Sequence, residues 1–300
     1  MRKGWLRTRH VALAGAALAL VSPAAARATE GGAAAASLSD LNAMSIEQLA
    51  NLDITSVSKR GERLADAPAA VFVITHDAIL QSGAVSLPEM LRLAPNLQVA
   101  EISASSYAIT ARGFNGNAAD KLLVMIDGRS VYTQLFGGVL WDEQDVLPED
   151  IDRIEVVSGP GATLWGANAV NGVINIITRK ASDTQGGVFS ASVGNRQDEG
   201  DLQYGGKAGD DLHYRAYVQG FTVPGDRTSV GTDALDAWHK TQGGFRIDWT
   251  PGRDALTLQG DIYGGAEAAT PTLNEAISGG DLQLTWRRDL AAGGSIQAMA

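Results

Sequence analysis

The chain has no cysteine among its 300 residues and only four histidines. Without cysteine there is neither a disulfide framework nor a thiolate metal site. His10, His76, His213 and His239 stand far apart in sequence, so a histidine-rich metal centre is not expected either. Basic residues are in the minority, 24 Lys and Arg against 34 Asp and Glu. So acidic a chain is a poor partner for nucleic acid. The apolar run Val11–Val21 is too short to cross a bilayer as a helix. No G-x-S-x-G stretch and no Cys/His constellation points to an enzyme, and neither a resident metal nor a cofactor is expected.

What surrounds that apolar run gives it a meaning. Arg2, Lys3, Arg7 and Arg9 precede it, and small residues ending in Ala26-Arg27-Ala28 follow it. Positive start, apolar centre and A-x-A end make residues 1–28 a secretory signal peptide. Its removal takes five basic residues, leaving 19 against 34 acidic, a net of −15. Residues 29–60 read as a flexible leader, low in complexity to about Ala43.

From 61 to 182 the pattern is mixed α and β. AAVFVIT reads as a strand, Thr75 as the cap of the helix HDAILQS, and Gly83 as its end. SLPEMLRLAP opens with a capping box, Ser86 and Glu89, and stops at Pro95. KLLVMI and RSVYT are joined by Asp127-Gly128, a strong hairpin signal. PEDIDRIEVVSG runs from a short helix into a strand, and GVINIIT is a buried strand. The acidic run WDEQDVLPED lacks the glycine-containing spacing of a calcium loop and reads as a solvated helix start.

From 187 to 300 the grammar is strict alternation with no helical period. HYRAYVQG sets Tyr214, Ala216 and Val218 against Arg215 and Gln219, and FRIDW sets Phe245, Ile247 and Trp249 against Arg246 and Asp248. Short turns at 209–211, 250–254 and near 289–294 alternate with longer connections expected at 194–200, 222–242 and 264–280. That asymmetry, with Trp249 and Trp286 just before short turns, favours an outer-membrane barrel over a soluble sandwich. About seven strands are present. Seven cannot close, and open edges in lipid cost several kcal/mol per unpaired group, so the chain is expected to be either a fragment or a truncated product that does not insert.

The glycine-rich stretch GPGATLWGANAVNGVINIITRK (159–180) is not a phosphate loop. Ala167 and Asn168 stand where a Walker loop needs lysine and Ser or Thr, and Leu164 breaks the dinucleotide fingerprint. Its glycines are expected to serve tight turns and close strand approach.

With DIDRIEVVSGPGATLWGANAVNGVINIITRK and ARGFNGNAADKLLVMIDGRSVYT (111–133), the chain resembles the TonB-dependent outer-membrane receptors, strongly over about residues 45 to 180. The resemblance implies an α+β plug domain followed by antiparallel transmembrane β-barrel strands, incomplete in this chain. It further implies outer-membrane location, import of a scarce metal chelate such as a ferric siderophore or cobalamin, and energy from TonB, itself driven by ExbB and ExbD. The alternative is a truncated, non-transporting periplasmic plug that only binds.

Particular residues follow from the same resemblance. LDITSVSKR is the candidate TonB-binding segment, Asp53, Ile54, Thr55, Ser56, Val57 and Ser58. It is short, β-branched and free of proline and glycine, as suits strand addition to a partner's sheet edge, and its alternative is an ordinary first plug strand. Tyr107, Tyr132, Phe136 and Trp141, in the apical loops, are candidate contacts for a flat, partly apolar chelate. Arg112 is the candidate plug–barrel lock. The arginine usual before Gly-Pro is replaced by Ser158, so Arg153 is the substitute considered.

Overall fold

The computed structural model describes residues 52–57, 61–113, 115–116, 121–133, 135, 137–270, 273–291 and 294–300. The expected signal peptide, the low-complexity leader, and Ser58 and Phe136 of the candidate sites lie outside them.

The chain enters as a short ribbon, β1 (Asp53–Ile54) against β2 (Glu62–Arg63). β3 (Ala70–Thr75) leads into α1 (His76–Ser82), where Thr75 caps by accepting from the Ala78 amide at 3.3 Å. α2 (Leu87–Leu91) follows, but the expected capping box does not form. The Ser86 side chain makes no cap bond; Glu89 turns instead to Arg92 and Tyr107. Then come β4 (Leu97–Glu101), β5 (Tyr107–Ala111), β6 (Leu122–Ile126) and β7 (Arg129–Ser130). Asp127 (φ 48°) and Gly128 (φ 82°) make the left-handed turn that joins β6 to β7, the geometry for which Asp-Gly is selected. β8 (Ile151–Ser158), the short helix α3 (Ala162–Trp165) and β9 (Gly172–Thr178) complete this part.

Five of these strands form one sheet in the order β3-β8-β9-β6-β7, parallel only between β6 and β9. One face carries the main core, Ile74, Ile79, Leu87, Met90, Leu91, Ile109, Val124, Ile154 and Ile174 among it. The other carries Leu123, Met125, Val157, Ala169 and Val173, covered by Val57 and Trp165. Burial on both faces explains why LLVMI and GVINI are nearly continuous apolar runs. Gly172 has no side chain for a steric reason: a Cβ there would collide with the Val157 carbonyl oxygen.

Seven strands then form a single antiparallel meander: β10 (Gly186–Val193), β11 (Asp198–Ala208), β12 (Leu212–Val223), β13 (Trp238–Trp249), β14 (Asp254–Thr270), β15 (Leu273–Asp289) and β16 (Ser295–Met299). The sheet is open, a partial barrel. Its two faces are inverted relative to a soluble sandwich. Leu202, Tyr204, Val218, Ile262, Leu282 and Leu284 are exposed, whereas Gln203, Arg215, Gln219, Lys240, Gln242 and Gln283 are buried against the plug. A water-facing sheet buries its apolar side; this one buries its polar side. Trp249, Leu256 and Trp286 are cross-strand neighbours beside the short turns, and the Trp286 indole N–H donates to Asp254 at 2.9 Å.

Two expected longer connections are overturned, and one of them is 194–200, where β11 already begins at Asp198 and leaves a link as short as that at 250–253. Residues 264–270 and 273–280 are strand, not loop: β14 ends at Thr270, β15 begins at Leu273, and each runs for 17 residues. A bilayer crossing needs about 9–11 tilted residues, fewer than the 17 of either strand. Beyond that depth no apolar face is required, and the alternation that marks a strand in sequence fades into GGAEAAT and EAISGG.

Candidate functional site

Three places concentrate polar chemistry. The first is the seam between plug and barrel wall. Asp150 is 2% exposed and meets Arg215 at 3.2 Å, and Arg215 also donates to the Arg179 carbonyl at 2.7 Å. Asp127, at the β6–β7 turn, accepts from the Thr178 amide at 2.9 Å and from Gln259 at 2.9 Å, with Arg246 at 3.5 Å. Arg129 pairs with Asp281 at 2.8 Å. Sequence reading missed all three pairs, because each joins groups 65 to 152 positions apart. It also expected the acidic run to be solvated. Asp145 and Asp150 are instead buried, one against the apical cavity and one against Arg215. Burial raises the carboxyl of each above the usual range, opposed at Asp150 chiefly by Arg215.

The expected lock residues behave differently. Arg153 does not reach the barrel: its guanidinium lies 2.9 Å from Glu155 and 2.5 Å from Asp152, so plug acids already hold its charge. Arg112, in a left-handed conformation (φ 60°), rests beside Gly159 and forms no ion pair among the described residues. Ser158, in place of the usual arginine, receives a 2.5 Å bond from the Asn96 amide.

The second place is the candidate TonB segment. Thr55 and Ser56 present their amides to the fully buried Glu155 carboxylate at 3.0 and 2.9 Å, and the Ser56 hydroxyl adds a third bond at 2.5 Å. Trp165 of α3 donates its indole N–H to the Ser56 carbonyl at 2.7 Å. Ile54 is buried, and Asp53 and Ile54 pair with β2. In this structure the segment is folded onto the plug as a first strand and clasp.

The third place is the long-loop end, where a cavity of about 490 Å³ opens between the plug and β10–β13. Of the expected ligand contacts, the structure brings Tyr107 and Trp141 together on its lining. Trp141 is only 8% exposed and belongs to the main core, so it is chiefly a packing residue. Tyr132 stands apart, donating its hydroxyl to the Gly137 carbonyl at 2.5 Å. Tyr107 donates to Glu89 at 3.2 Å, and burial, then Glu101 and Glu89, push its phenol well above the usual value. Barrel residues complete the wall: Phe221 and Trp238 meet edge to face at 4.9 Å, and Trp238 donates to the Ala104 carbonyl at 2.9 Å. Asp236 accepts from the Ala104 amide at 2.9 Å, and Ser105 donates to Glu267 at 3.0 Å, so the apical loop 102–106 is held from the barrel side. The sequence signal for Trp238, an aromatic opening a strand after a long connection, was present.

Residues 63–173 match the family described as TonB-dependent Receptor Plug Domain. The vitamin B12 transporter BtuB of Vibrio cholerae is 35% identical over 136 residues, which is 45% of this chain and 21% of that protein. The ferric enterobactin receptor PirA of Pseudomonas aeruginosa is 26% identical over 264 residues, 75% of this chain and 35% of that protein. The chain thus spans roughly a fifth to a third of the length of these relatives. Among solved structures, the ferripyoverdine receptor of the Pseudomonas aeruginosa outer membrane superposes with a TM-score of 0.67 at 15% identity, over 82% of this chain and 35% of that one. At that identity the likeness is one of fold.

Proposed function

We propose, from the premise that this chain is a TonB-dependent receptor in its plug domain and first barrel strands, that it serves energy-coupled import of a metal chelate across an outer membrane. The observation that supports this most is the inverted sheet, apolar outward and polar inward, with a folded plug covering its polar side. An apolar outer face suits lipid, and a plugged lumen suits a ligand too large and too scarce for an open pore. On this reading the short-turn end faces the periplasm and the long-loop end the medium. The relatives named as vitamin B12 and ferric enterobactin receptors point to a chelate as cargo.

Residues 53–58 are the proposed grip for TonB, and the segment supports this reading through its two states. Folded, its amides are occupied by Glu155; released, the same amides are free to pair with a partner's sheet edge. Uptake of labelled ferric chelate and labelled cobalamin by cells expressing the receptor, with and without a protonophore, tests the proposal. Uptake is expected to require the proton gradient and to be lost on deletion of residues 53–58. Uptake that survives both treatments overturns it.

A further inference from the structure

The apolar outer face of the wall ends, beside the short turn between β13 and β14, in a pair of opposite charges. In β14 and β15 the alternation sets Leu256, Leu258 and Ile262, and Leu282, Leu284 and Trp286, on that face. Carried one step further toward the short turn, it places Asp254 opposite Arg288 on the same side. The Trp286 indole N–H reaches Oδ1 of Asp254 at 2.9 Å, which agrees with that placement.

Asp254 and Arg288 do not close on each other. Oδ2 of Asp254 stands 3.6 Å from the guanidinium, and the side chains are 25% and 53% exposed. A direct bond between a guanidinium and a carboxylate settles at about 2.7–2.9 Å. On the opposite face of the same strand end Arg287 and Asp289 do close, at 3.0 Å. The Arg288 side chain donates no hydrogen bond among the described residues, so its fork is open. Trp249 and Trp286, each across from Leu256 on a neighbouring strand, lie on the same face and form an apolar floor. Tryptophan at strand ends marks the level of lipid headgroups.

We propose that Asp254 and Arg288 hold the headgroup of a phospholipid that bears a primary ammonium, a phosphoethanolamine, at the short-turn end of the wall. The inference rests on the reading of this face as lipid-facing and adds a headgroup to it. Arg288 forks onto the phosphate, as guanidinium groups do, and Asp254 accepts from the ammonium. The acyl chains then lie over Leu256, Leu258 and Leu284. One cation and one anion side by side match a zwitterion. A phosphoglycerol headgroup brings no cation to Asp254, and a phosphocholine headgroup has no N–H to donate to it.

The test is quenching of tryptophan fluorescence in the full-length receptor, reconstituted in phosphatidylcholine bilayers. Chain-brominated phosphatidylethanolamine, phosphatidylcholine and phosphatidylglycerol are added in turn at equal mole fraction. The signal of Trp249 and Trp286 is the part lost in the double variant Trp249→Phe, Trp286→Phe. Phosphatidylethanolamine is expected to associate about threefold more strongly than either other lipid, the ratio that one exposed ion pair supplies. Asp254→Asn is expected to abolish its advantage over phosphatidylcholine, and Arg288→Gln to weaken all three together. Phosphatidylethanolamine quenching no stronger than that of the other two lipids overturns the headgroup site and leaves the lipid-facing wall standing. No quenching of these tryptophans by any of the three overturns both.

Discussion

Asp145 illustrates how a single buried carboxylate can bear on stability. Its carboxyl is raised above the ordinary range by burial, with Lys240 and the Val146 amide opposing that effect. At neutral pH the folded plug therefore carries a charge that the unfolded chain would hydrate more cheaply. The sign follows from proton counting: a carboxyl whose folded value lies above its unfolded one binds more protons in the fold, so stability rises as pH falls through that window. Asp145→Asn is expected to raise the apparent melting temperature of the ligand-free protein at neutral pH, and to flatten its rise on mild acidification. Differential scanning calorimetry across that pH range checks both. A variant less stable than the parent at neutral pH would mean that Asp145 is satisfied where it stands. Ser56 and Glu155 are the opposite case, polar groups buried together with every donor used.

At the scale of elements, the clasp on residues 53–57 is the piece most open to change. Little apolar surface holds it beyond Ile54 and Val57, while Glu155 receives the Thr55 amide, the Ser56 amide and hydroxyl, and Arg153. Bonds to a charged acceptor contribute about 1.5–3 kcal/mol each. Glu155→Gln replaces one acceptor oxygen by a donor facing those amides. Exchange of the Thr55 and Ser56 amide hydrogens is expected to speed up at least about tenfold, with the β6–β9 core amides unchanged; unchanged exchange at 55 and 56 would show that Trp165 and the β2 pairing suffice. What was legible in the sequence has the same division. The Thr75 cap, the Asp127-Gly128 turn and the strands of FRIDW and HYRAYVQG are decided within a few residues, by side-chain chemistry and period. The clasp was not legible, because Glu155 acts on residues a hundred positions earlier. The long ends of β14 and β15 were hidden for another reason, the absence of any core or lipid to impose alternation there. Ser86 shows local reading failing outright, since Glu89 found better partners in Arg92 and Tyr107.

For the whole molecule, the question is what holds the plug against the wall. The seam uses both signs on both sides: plug Asp127 and Asp150 face wall Arg246 and Arg215, and plug Arg129 faces wall Asp281. Of these, Asp150–Arg215 is the most deeply buried, with side chains 2% and 6% exposed. Breaking one partner of such a pair costs about 3–5 kcal/mol, mostly because the other charge is stranded. The two halves are not equivalent. Arg215→Met strands a carboxyl, which can take up a proton, whereas Asp150→Asn strands a guanidinium, which cannot release one. Asp150 already has its carboxyl raised by burial against the opposing pull of Arg215, and removing that arginine raises it further. Its folded value, already above its unfolded one, then lies further above it, so the folded state of Arg215→Met gains more protons, and more stability, as pH falls through that window than the parent does. Plug unfolding by urea in detergent is therefore expected to show Asp150→Asn as the worse variant at neutral pH. The defect of Arg215→Met should shrink on mild acidification, that of Asp150→Asn should not, and the double variant should recover part of the loss. Equal, pH-independent defects in the two single variants would mean that the seam is held by packing and that its charges only face one another.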